Sequence, residues 1–317
     1  MNRYFLIFFL SLISYSQHKM KIPPYLKKGD TVAIVCTARK FFPEDAKPAI
    51  DLLESWGLKV KLGTTIGLDS CQLGGTDEQR AADFQAQLDD DDVKAIWCAR
   101  GGYGTVRIID RIDFSKFKKH PKWVMGFSDV TVLHSHINTL NVATLHSIMP
   151  FTVPKAPEGV KETFKNALFG IKNSYTIPSK SYDKKGVAKG ELVGGNLSII
   201  YSLLGSKSSI DTKDKILFIE DLDEYLYHID RMLYNLKRND YFKNVKGIIV
   251  GSMRDMHDNE IPFGQNEVQI ITEITKDLNI PIAFEFCAGH QKDNRTLVLG
   301  SQVVFEVNAT EINLTFE

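Results

Sequence analysis

The residue with the clearest chemical potential is a serine, Ser128, which stands between an apolar run and an amphipathic run in WVMGFSDVTVLHSHINTL. Gly126 precedes it by two positions, as in the strand–turn–helix elbow that exposes a nucleophilic serine, but Val130 replaces the second glycine of the GxSxG pattern. An elbow would aim the backbone N–H of Asp129 at a developing oxyanion. The alternative is that Ser128 only caps a helix beginning at Asp129. These residues alone leave both interpretations open.

An acidic residue and a histidine further along the chain could complete such a site. In KILFIEDLDEYLYHID an apolar strand runs directly into Glu220, where a carboxylate can orient a catalytic histidine. Acidic residues at a helix N-terminus also suit the helix dipole, which accounts for Asp221 and Asp223 without any function. His290 follows Gly289 after the apolar run AFEFCA, although a lone histidine is often structural. The chain order is then Ser, Glu, His, as in α/β-hydrolases.

Two adjacent glycines in WCARGGYGTVRIID predict a tight turn between a strand ending at Arg100 and a helix beginning near Thr105. Adjacent glycines let backbone N–H groups approach a bound anion, as in phosphate loops and oxyanion holes. The segment has neither the GxGxxG spacing nor a GK[ST] motif, which argues against a nucleotide-binding loop. The stretch is consistent with a structural turn and with a binding site.

Strand-like and helix-like stretches alternate around these residues. β-branched runs such as DTVAIVCTA are followed by helical periodicity such as PEDAKPAIDLLESWGL, which predicts an α/β fold with a parallel sheet and helices on both faces over residues 20–153. The proline- and lysine-rich residues 154–189 are predicted to link this domain to a second one, residues 190–317, that mixes βα units with a final β-hairpin. Ligands gather at the carboxyl ends of strands in such sheets, where the polar segments above are predicted to lie.

Composition narrows the class of protein. A chain of 317 residues with 43% hydrophobic residues is long enough for two domains. Its 39 lysines and arginines balance 39 aspartates and glutamates, so no net field favours nucleic acid, and no nucleic-acid partner is predicted. The four cysteines are scattered singly, which predicts neither a zinc site nor a redox dithiol. Cys36 and Cys98 lie in apolar runs and are expected in the core.

The first residues, MNRYFLIFFLSLISYSQ, follow the pattern of a signal peptide, which is predicted over residues 1–19. The apolar run from Tyr4 to Ile13 is shorter than the roughly 20 residues that a membrane span needs, so no stable membrane insertion is expected. The alternative is that translation starts at Met20 and residues 1–19 are an upstream extension. A signal peptide predicts a periplasmic or secreted protein, whereas a start at Met20 predicts a cytoplasmic one.

Five segments together resemble the LD-carboxypeptidase family, which includes murein tetrapeptide carboxypeptidases and the related microcin C immunity serine peptidases. In chain order they are ARGGYG, GFSDVT, LVGGNLS, LFIEDLDEYLYHIDRML and GHQKDNRTLVLG, and the resemblance covers the chain from about Lys21. It implies a Rossmann-like N-terminal domain and a β-rich, barrel-like C-terminal domain with the active site between them.

The resemblance also implies roles for individual residues. It implies a catalytic triad of Ser128, Glu220 and His290, matched to the serine, the first acidic residue and the histidine of three of these segments. It further implies an oxyanion hole made by the backbone N–H groups of Gly102 and Asp129.

The substrate implied by the resemblance is a muropeptide tetrapeptide stem of the cell wall. Its terminal D-alanine would be removed from the L-centre of a diamino acid without metal or organic cofactor, and the family's frequent dimers imply a homodimer. Arg100 is a candidate for binding the free carboxylate, with an ion pair inside the fold as the alternative. The chain departs from the family where His146-Ser147-Ile148-Met149 replaces HGPM and where CTARK replaces a Pro-Ser or Pro-Ala turn. Both segments are expected to face the cleft.

Two other functions are compatible with the same sequence. An immunity-type peptidase that cleaves a peptidyl-nucleotide antibiotic would use the same triad and add an aromatic loop that stacks on the nucleobase. Trp56, Trp97 and Trp123 all lie in predicted helix or strand cores, so none supports it. A non-catalytic envelope ligand-binding protein would suit an export signal, but it would not need the serine, the glutamate and the histidine together.

Overall fold

The computed structural model describes residues 20–317, and the predicted signal peptide lies outside them. The described chain contains a six-stranded sheet and a seven-stranded sheet, each accompanied by helices, which confirms the predicted α/β class. Cys36 and Cys98 are buried, in agreement with their predicted place in the core. No helix within these residues is long and apolar enough to cross a membrane.

The six-stranded sheet is built mainly from the N-terminal half of the chain. Its five parallel strands are neighbours in the order Lys59–Leu62, Thr31–Val35, Val93–Cys98, Trp123–Gly126 and Thr144–His146, as the alternation of strands and helices predicted. The helix expected near Thr105 is replaced by two short 3₁₀ turns, Thr105–Arg107 and Ile109–Arg111. The elements of this half are β1 (Thr31–Val35), α1 (Pro43–Ser55), β2 (Lys59–Leu62), α2 (Asp77–Asp89), β3 (Val93–Cys98), α3 (Ser115–Lys119), β4 (Trp123–Gly126), α4 (Thr131–Thr139) and β5 (Thr144–His146).

Hydrophobic clusters cover both faces of this sheet because its central strands, such as β1, are apolar on both sides. In β1, Val32 and Ile34 pack into one cluster, whereas Ala33 and Val35 pack into another. Packing on both faces therefore holds the carboxyl ends of β3 and β4 in place, where the loops that follow these strands begin.

The second half of the chain forms the seven-stranded sheet. Its elements are α5 (Glu158–Phe169), β6 (Ser174–Pro178), β7 (Gly186–Asn196), α6 (Leu197–Ser202), β8 (Ile216–Leu222), α7 (Leu226–Arg238), β9 (Gly247–Arg254), α8 (Glu267–Thr275), β10 (Ile282–Ala283), β11 (Leu297–Leu299), β12 (Gln302–Val307) and β13 (Glu311–Phe316). The strand order is β10-β9-β8-β7-β12-β13-β6, parallel from β10 to β7 and antiparallel from β7 to β6. A bridge between Lys184 and Ile282 brings β10 back to the β6–β7 connection, which gives the sheet a barrel-like form.

The two sheets share segments of chain. β11 leaves the second half and pairs antiparallel with β5, so that it becomes the sixth strand of the first sheet. Within the predicted linker, α5 matches the helix expected from its periodicity and packs Phe164 against Trp97 in the core of the first sheet, while β6 forms an edge of the second sheet. The halves are thus joined by packing as well as by sequence.

Candidate active site

Ser128 lies on a strained turn between β4 and α4. Its φ is +62°, a left-handed conformation that is uncommon for a residue with a side chain, and the 3₁₀ turn Ser128–Val130 leads directly into the helix. Gly126 also has a positive φ, and a Cβ built on it would lie 2.8 Å from Val130 Cγ2. Val130 therefore fills the space that a side chain at position 126 would need. The Ser128 side chain caps neither the turn nor α4.

The three residues of the predicted triad lie within hydrogen-bond distance of one another. His290 Nε2 is 3.1 Å from Ser128 Oγ, and His290 Nδ1 is 2.6 Å from Glu220 Oε2. Glu220 Oε2 also accepts a hydrogen bond from the backbone N–H of His290 at 3.1 Å. In this arrangement the serine hydroxyl donates to Nε2 and the Nδ1–H donates to the carboxylate, which fixes the tautomer of the imidazole.

Burial and mutual attraction set the charges of the histidine and the glutamate. Burial alone would lower the pKa of His290, but the charge and the hydrogen bond of Glu220 outweigh it, so that the pKa lies above the ordinary histidine value. Burial likewise acts to raise the pKa of Glu220, but the opposing charge and hydrogen bonds of His290 bring it below the ordinary glutamate value. Glu220 is therefore ionised and positioned to stabilise a protonated His290.

The residues of the predicted oxyanion hole, Gly102 and Asp129, line the same cleft as the serine. A Cβ built on Gly101 would lie 3.2 Å from Ser128 Oγ and 3.5 Å from the backbone nitrogen of Asp129, so the glycine turn packs directly on the elbow. The backbone N–H groups of Gly102 and Asp129 donate to no turn or loop carbonyl in residues 20–317. The buried Asp129 carboxylate accepts a hydrogen bond from the Thr105 N–H at 2.9 Å, which ties the far side of the glycine turn to the elbow.

Two residues that support the site were not identified from the sequence. Asn294 Oδ1 accepts from the Gly289 N–H at 2.8 Å and lies 3.3 Å from Nε2 of the fully buried His146. These contacts link β5 of the first sheet to the loop that carries His290. A single histidine and a single asparagine give no periodic or spacing signal, although His146 lies in a segment that departs from the family pattern and Asn294 in one that resembles it.

The triad opens into a cavity of about 410 Å³ at the carboxyl ends of strands from both sheets. From the two segments that depart from the family pattern, Arg39 and Met149 line this cavity, whereas His146, Ser147 and Ile148 are buried. The expectation that both segments face the cleft therefore holds for one residue of each. The lining consists of Arg39, Arg100, Gly101, Gly102, Phe127, Ser128, Asp129, Met149, Phe151, Thr152, Asn196, Ser198, Ile199, Asp221, Leu222, Asp223 and His290.

Trp56, Trp97 and Trp123 are buried away from this cavity, in agreement with their predicted place in the core. Among the described residues, no group of three or more histidine, cysteine or acidic side chains is placed to hold a metal ion. The cleft offers a serine–histidine–glutamate chain, backbone N–H groups and two arginines. This set of groups suits acyl transfer through a serine nucleophile.

Comparison with known proteins identifies the family. Residues 32–147 match the model of the LD-carboxypeptidase N-terminal domain, and residues 189–305 match that of the LD-carboxypeptidase C-terminal domain. A Bacillus subtilis protein named "Probable murein peptide carboxypeptidase" is 38% identical over 295 residues, which cover 88% of this chain and 90% of the relative. This chain belongs to the LD-carboxypeptidase family, and it is a serine-type hydrolase.

Solved structures share the fold. The crystal structure of a muramoyltetrapeptide carboxypeptidase from Oxalobacter formigenes has a TM-score of 0.82 at 26% identity, covering 90% of this chain and 98% of that one. The microcin C7 self-immunity protein MccF gives a TM-score of 0.83 at 21% identity, covering 93% of this chain and 98% of that one. At that identity the likeness to MccF shows the fold alone. The fold class implied by the resemblance is confirmed.

Proposed function

We propose that this protein is an LD-carboxypeptidase that removes the terminal D-alanine from muropeptide tetrapeptide stems, with Ser128, His290 and Glu220 as its catalytic triad. The observation that carries the proposal is the hydrogen-bonded chain from Ser128 Oγ through both ring nitrogens of His290 to Glu220. The names of the relatives support the substrate class, because they combine murein peptides with a carboxypeptidase activity.

The mechanism follows from these positions. His290 Nε2 takes the proton of Ser128 as Oγ attacks the carbonyl carbon at the L-centre of the diamino acid. The backbone N–H groups of Gly102 and Asp129 stabilise the negative charge that develops on the carbonyl oxygen. The tetrahedral intermediate collapses, the C–N bond breaks, and His290 gives its proton to the departing nitrogen of D-alanine. Water then attacks the acyl-enzyme with His290 as base, and the tripeptide leaves.

The test is release of D-alanine from L-Ala-γ-D-Glu-diaminopimelate-D-Ala by the protein from Met20 onward. We expect release by the parent and a loss of roughly 10⁴-fold or more in Ser128→Ala, because the nucleophile acts as a unit with its base. Ser202→Ala is the matched control, since the Ser202 hydroxyl is exposed and donates to the Ile199 carbonyl of its own helix. Equal release by Ser128→Ala and the parent would contradict the assignment of the nucleophile.

A folded parent that releases no D-alanine would contradict the proposed substrate. A peptidyl-nucleotide would then be the next substrate to test, because MccF shares the fold. The three tryptophans are buried and cannot stack on a nucleobase, so this second function draws no support from them. A non-catalytic binding protein accounts neither for the family nor for the strained serine beside a histidine.

A further inference from the structure

The cavity beside the triad has two chemically different ends. Arg39 and Arg100 line it on the side of the glycine turn, and Asp221 and Asp223 line it on the side of β8. The guanidinium groups at the first end are positively charged at every physiological pH. At the second end, burial and then the neighbouring charge of Glu220 raise the pKa of Asp221 to about 7, which disfavours any further negative charge there. An anionic group of a substrate is therefore attracted to the arginine end.

Arg39 lies directly over the glycine that supplies a proposed oxyanion donor. A Cβ built on Gly102 would lie 2.5 Å from Arg39 Nε and 2.6 Å from its Cδ, so a side chain at position 102 would displace the arginine. The buried Arg80 fixes this approach, since its Nη1 donates both to the Thr37 carbonyl at 2.5 Å and to the Gly104 carbonyl at 2.8 Å. The segment that carries Arg39 is thereby clamped to the glycine turn.

Arg100 begins the same turn and is oriented by an aromatic ring. Its guanidinium carbon lies 4.1 Å from the centroid of the Phe151 ring. The Phe151 backbone N–H donates to the Ala99 carbonyl at 3.1 Å, which holds the ring beside the end of β3. Arg100 is half-buried and lines the same cavity as Ser128.

Neither guanidinium is neutralised by a direct contact from the described part of the chain. Within residues 20–317, the side chains of Arg39 and Arg100 take part in no salt bridge and no hydrogen bond. Burial and then the charge of Arg39 lower the pKa of Arg100, and the charge of Asp45 only partly opposes them. The fold thus holds two like charges at one end of the cleft without an acidic partner, an arrangement that a bound anion would stabilise.

We propose that Arg39 and Arg100 form the subsite for the free carboxylate of the substrate's C-terminal residue, the residue that leaves in the proposed reaction. This inference rests on the proposed function. The carboxylate of a terminal residue lies within one residue of the scissile carbonyl, a span of roughly 3.8 Å between Cα atoms. It must therefore bind beside the groups that hold the carbonyl oxygen. The glycine turn supplies one of these groups, and Arg39 and Arg100 flank this turn. The other three residues of the stem extend away from it.

The experiment compares the tetrapeptide acid with its C-terminal D-alaninamide as substrates of the parent, Arg39→Gln, Arg100→Gln and the double variant. For the acid, we expect each single substitution to lower kcat/KM by about tenfold to a hundredfold, mainly through KM, because a charge-assisted hydrogen bond is lost. For the amide, we expect poor turnover by the parent and little further change in the variants. Arg39→Lys and Arg100→Lys should recover part of the preference for the acid, and Arg238→Gln, on the exposed end of α7, should change nothing.

Binding provides a readout that does not depend on turnover. Calorimetry on Ser128→Ala should give tighter binding of the acid than of the amide, and this difference should disappear when Arg39 and Arg100 are both replaced by glutamine. An unchanged acid-to-amide ratio in the double variant, in turnover or in binding, would overturn the subsite. Equal losses for acid and amide would assign the arginines a structural role and overturn it as well. If the parent releases no D-alanine, the proposed function fails. The carboxylate subsite is still tested in that case, because the calorimetric comparison of acid and amide does not depend on turnover.

Discussion

At the scale of single residues, the charge of Glu220 determines the pH at which His290 can act as a base. Glu220 holds the pKa of His290 above its ordinary value, so the fraction of neutral imidazole falls as the pH drops through that raised pKa. In Glu220→Gln the carboxylate charge is removed, and burial then lowers the pKa of His290. We expect the acidic limb of kcat/KM against pH to move to lower pH, while the maximal rate falls by roughly 10³ to 10⁴-fold.

The matched control for this prediction is Glu224→Gln. Glu224 Oε2 is 2.5 Å from Nδ1 of His228, so it belongs to a second carboxylate–histidine pair on the same segment but outside the cavity lining. Its substitution should leave the acidic limb in place. An acidic limb that shifts to higher pH in Glu220→Gln, or that stays unchanged, would show that Glu220 does not set the protonation of the base.

At the scale of elements, the elbow between β4 and α4 depends on the absence of a side chain at position 126. Gly126→Ala should lower the free energy of unfolding by about 1–3 kcal/mol and reduce kcat, because the new Cβ meets Val130 and the φ of +149° disfavours alanine. Denaturant unfolding and D-alanine release measure the two effects.

A second glycine provides a control that separates two causes of the expected loss of stability: the clash of the new Cβ with Val130, and the positive φ that disfavours alanine. Gly29→Ala is the control, since Gly29 also has a positive φ but no atom of residues 20–317 within 4 Å of the added Cβ. Adding Val130→Ala should restore part of the loss in Gly126→Ala, because it removes the methyl groups that the new Cβ would meet. Equal costs at positions 126 and 29 would rule out the steric explanation.

The elements also show what the sequence could and could not predict. The spacing of Gly126 and Ser128 suggested an elbow, and the helical periodicity of residues 158–168 predicted α5 almost to the residue. Neither pattern indicates which side chains pack together. The contact between Val130 and position 126, and the packing of α5 into the core of the first sheet, are therefore seen only in the structure. Isolated polar residues such as Arg39 carry no periodic signal, because their position depends on contacts between segments far apart in the chain.

At the scale of the whole molecule, the proposed triad requires the two halves to meet at a fixed distance. The serine belongs to the first sheet, whereas the glutamate and the histidine belong to the second half. Residues 194–196, GGN, provide one junction: a Cβ on Gly195 would lie 2.5 Å from Thr131 Oγ1, and the Asn196 N–H donates to that oxygen at 3.0 Å. The backbone of β7 thereby approaches the first turn of α4, directly behind the elbow. His146 and Asn294 provide a second junction, on the histidine side.

The second junction leads to the last prediction. Burial lowers the pKa of His146 to about 4, so the imidazole is neutral and its Nε2–H donates to Asn294, which in turn holds the Gly289 N–H beside His290. We expect His146→Leu to lower kcat by about tenfold to a hundredfold with little change in KM, because a small displacement of the base is costly. His146→Gln keeps an N–H donor and should recover part of the rate.

A second histidine at the junction of the two halves provides a control that separates an effect on the position of His290 from an effect on the stability of the fold. His136→Leu is the control, since the His136 imidazole lies 2.9 Å from the Ser208 hydroxyl of the second half but far along α4 from the triad. Both leucine variants should lose stability in denaturant unfolding, because each removes a hydrogen bond that joins the halves. Only His146→Leu should also lose rate in D-alanine release. Equal kcat values in the two variants would show that the link from His146 to Asn294 stabilises the fold without positioning His290.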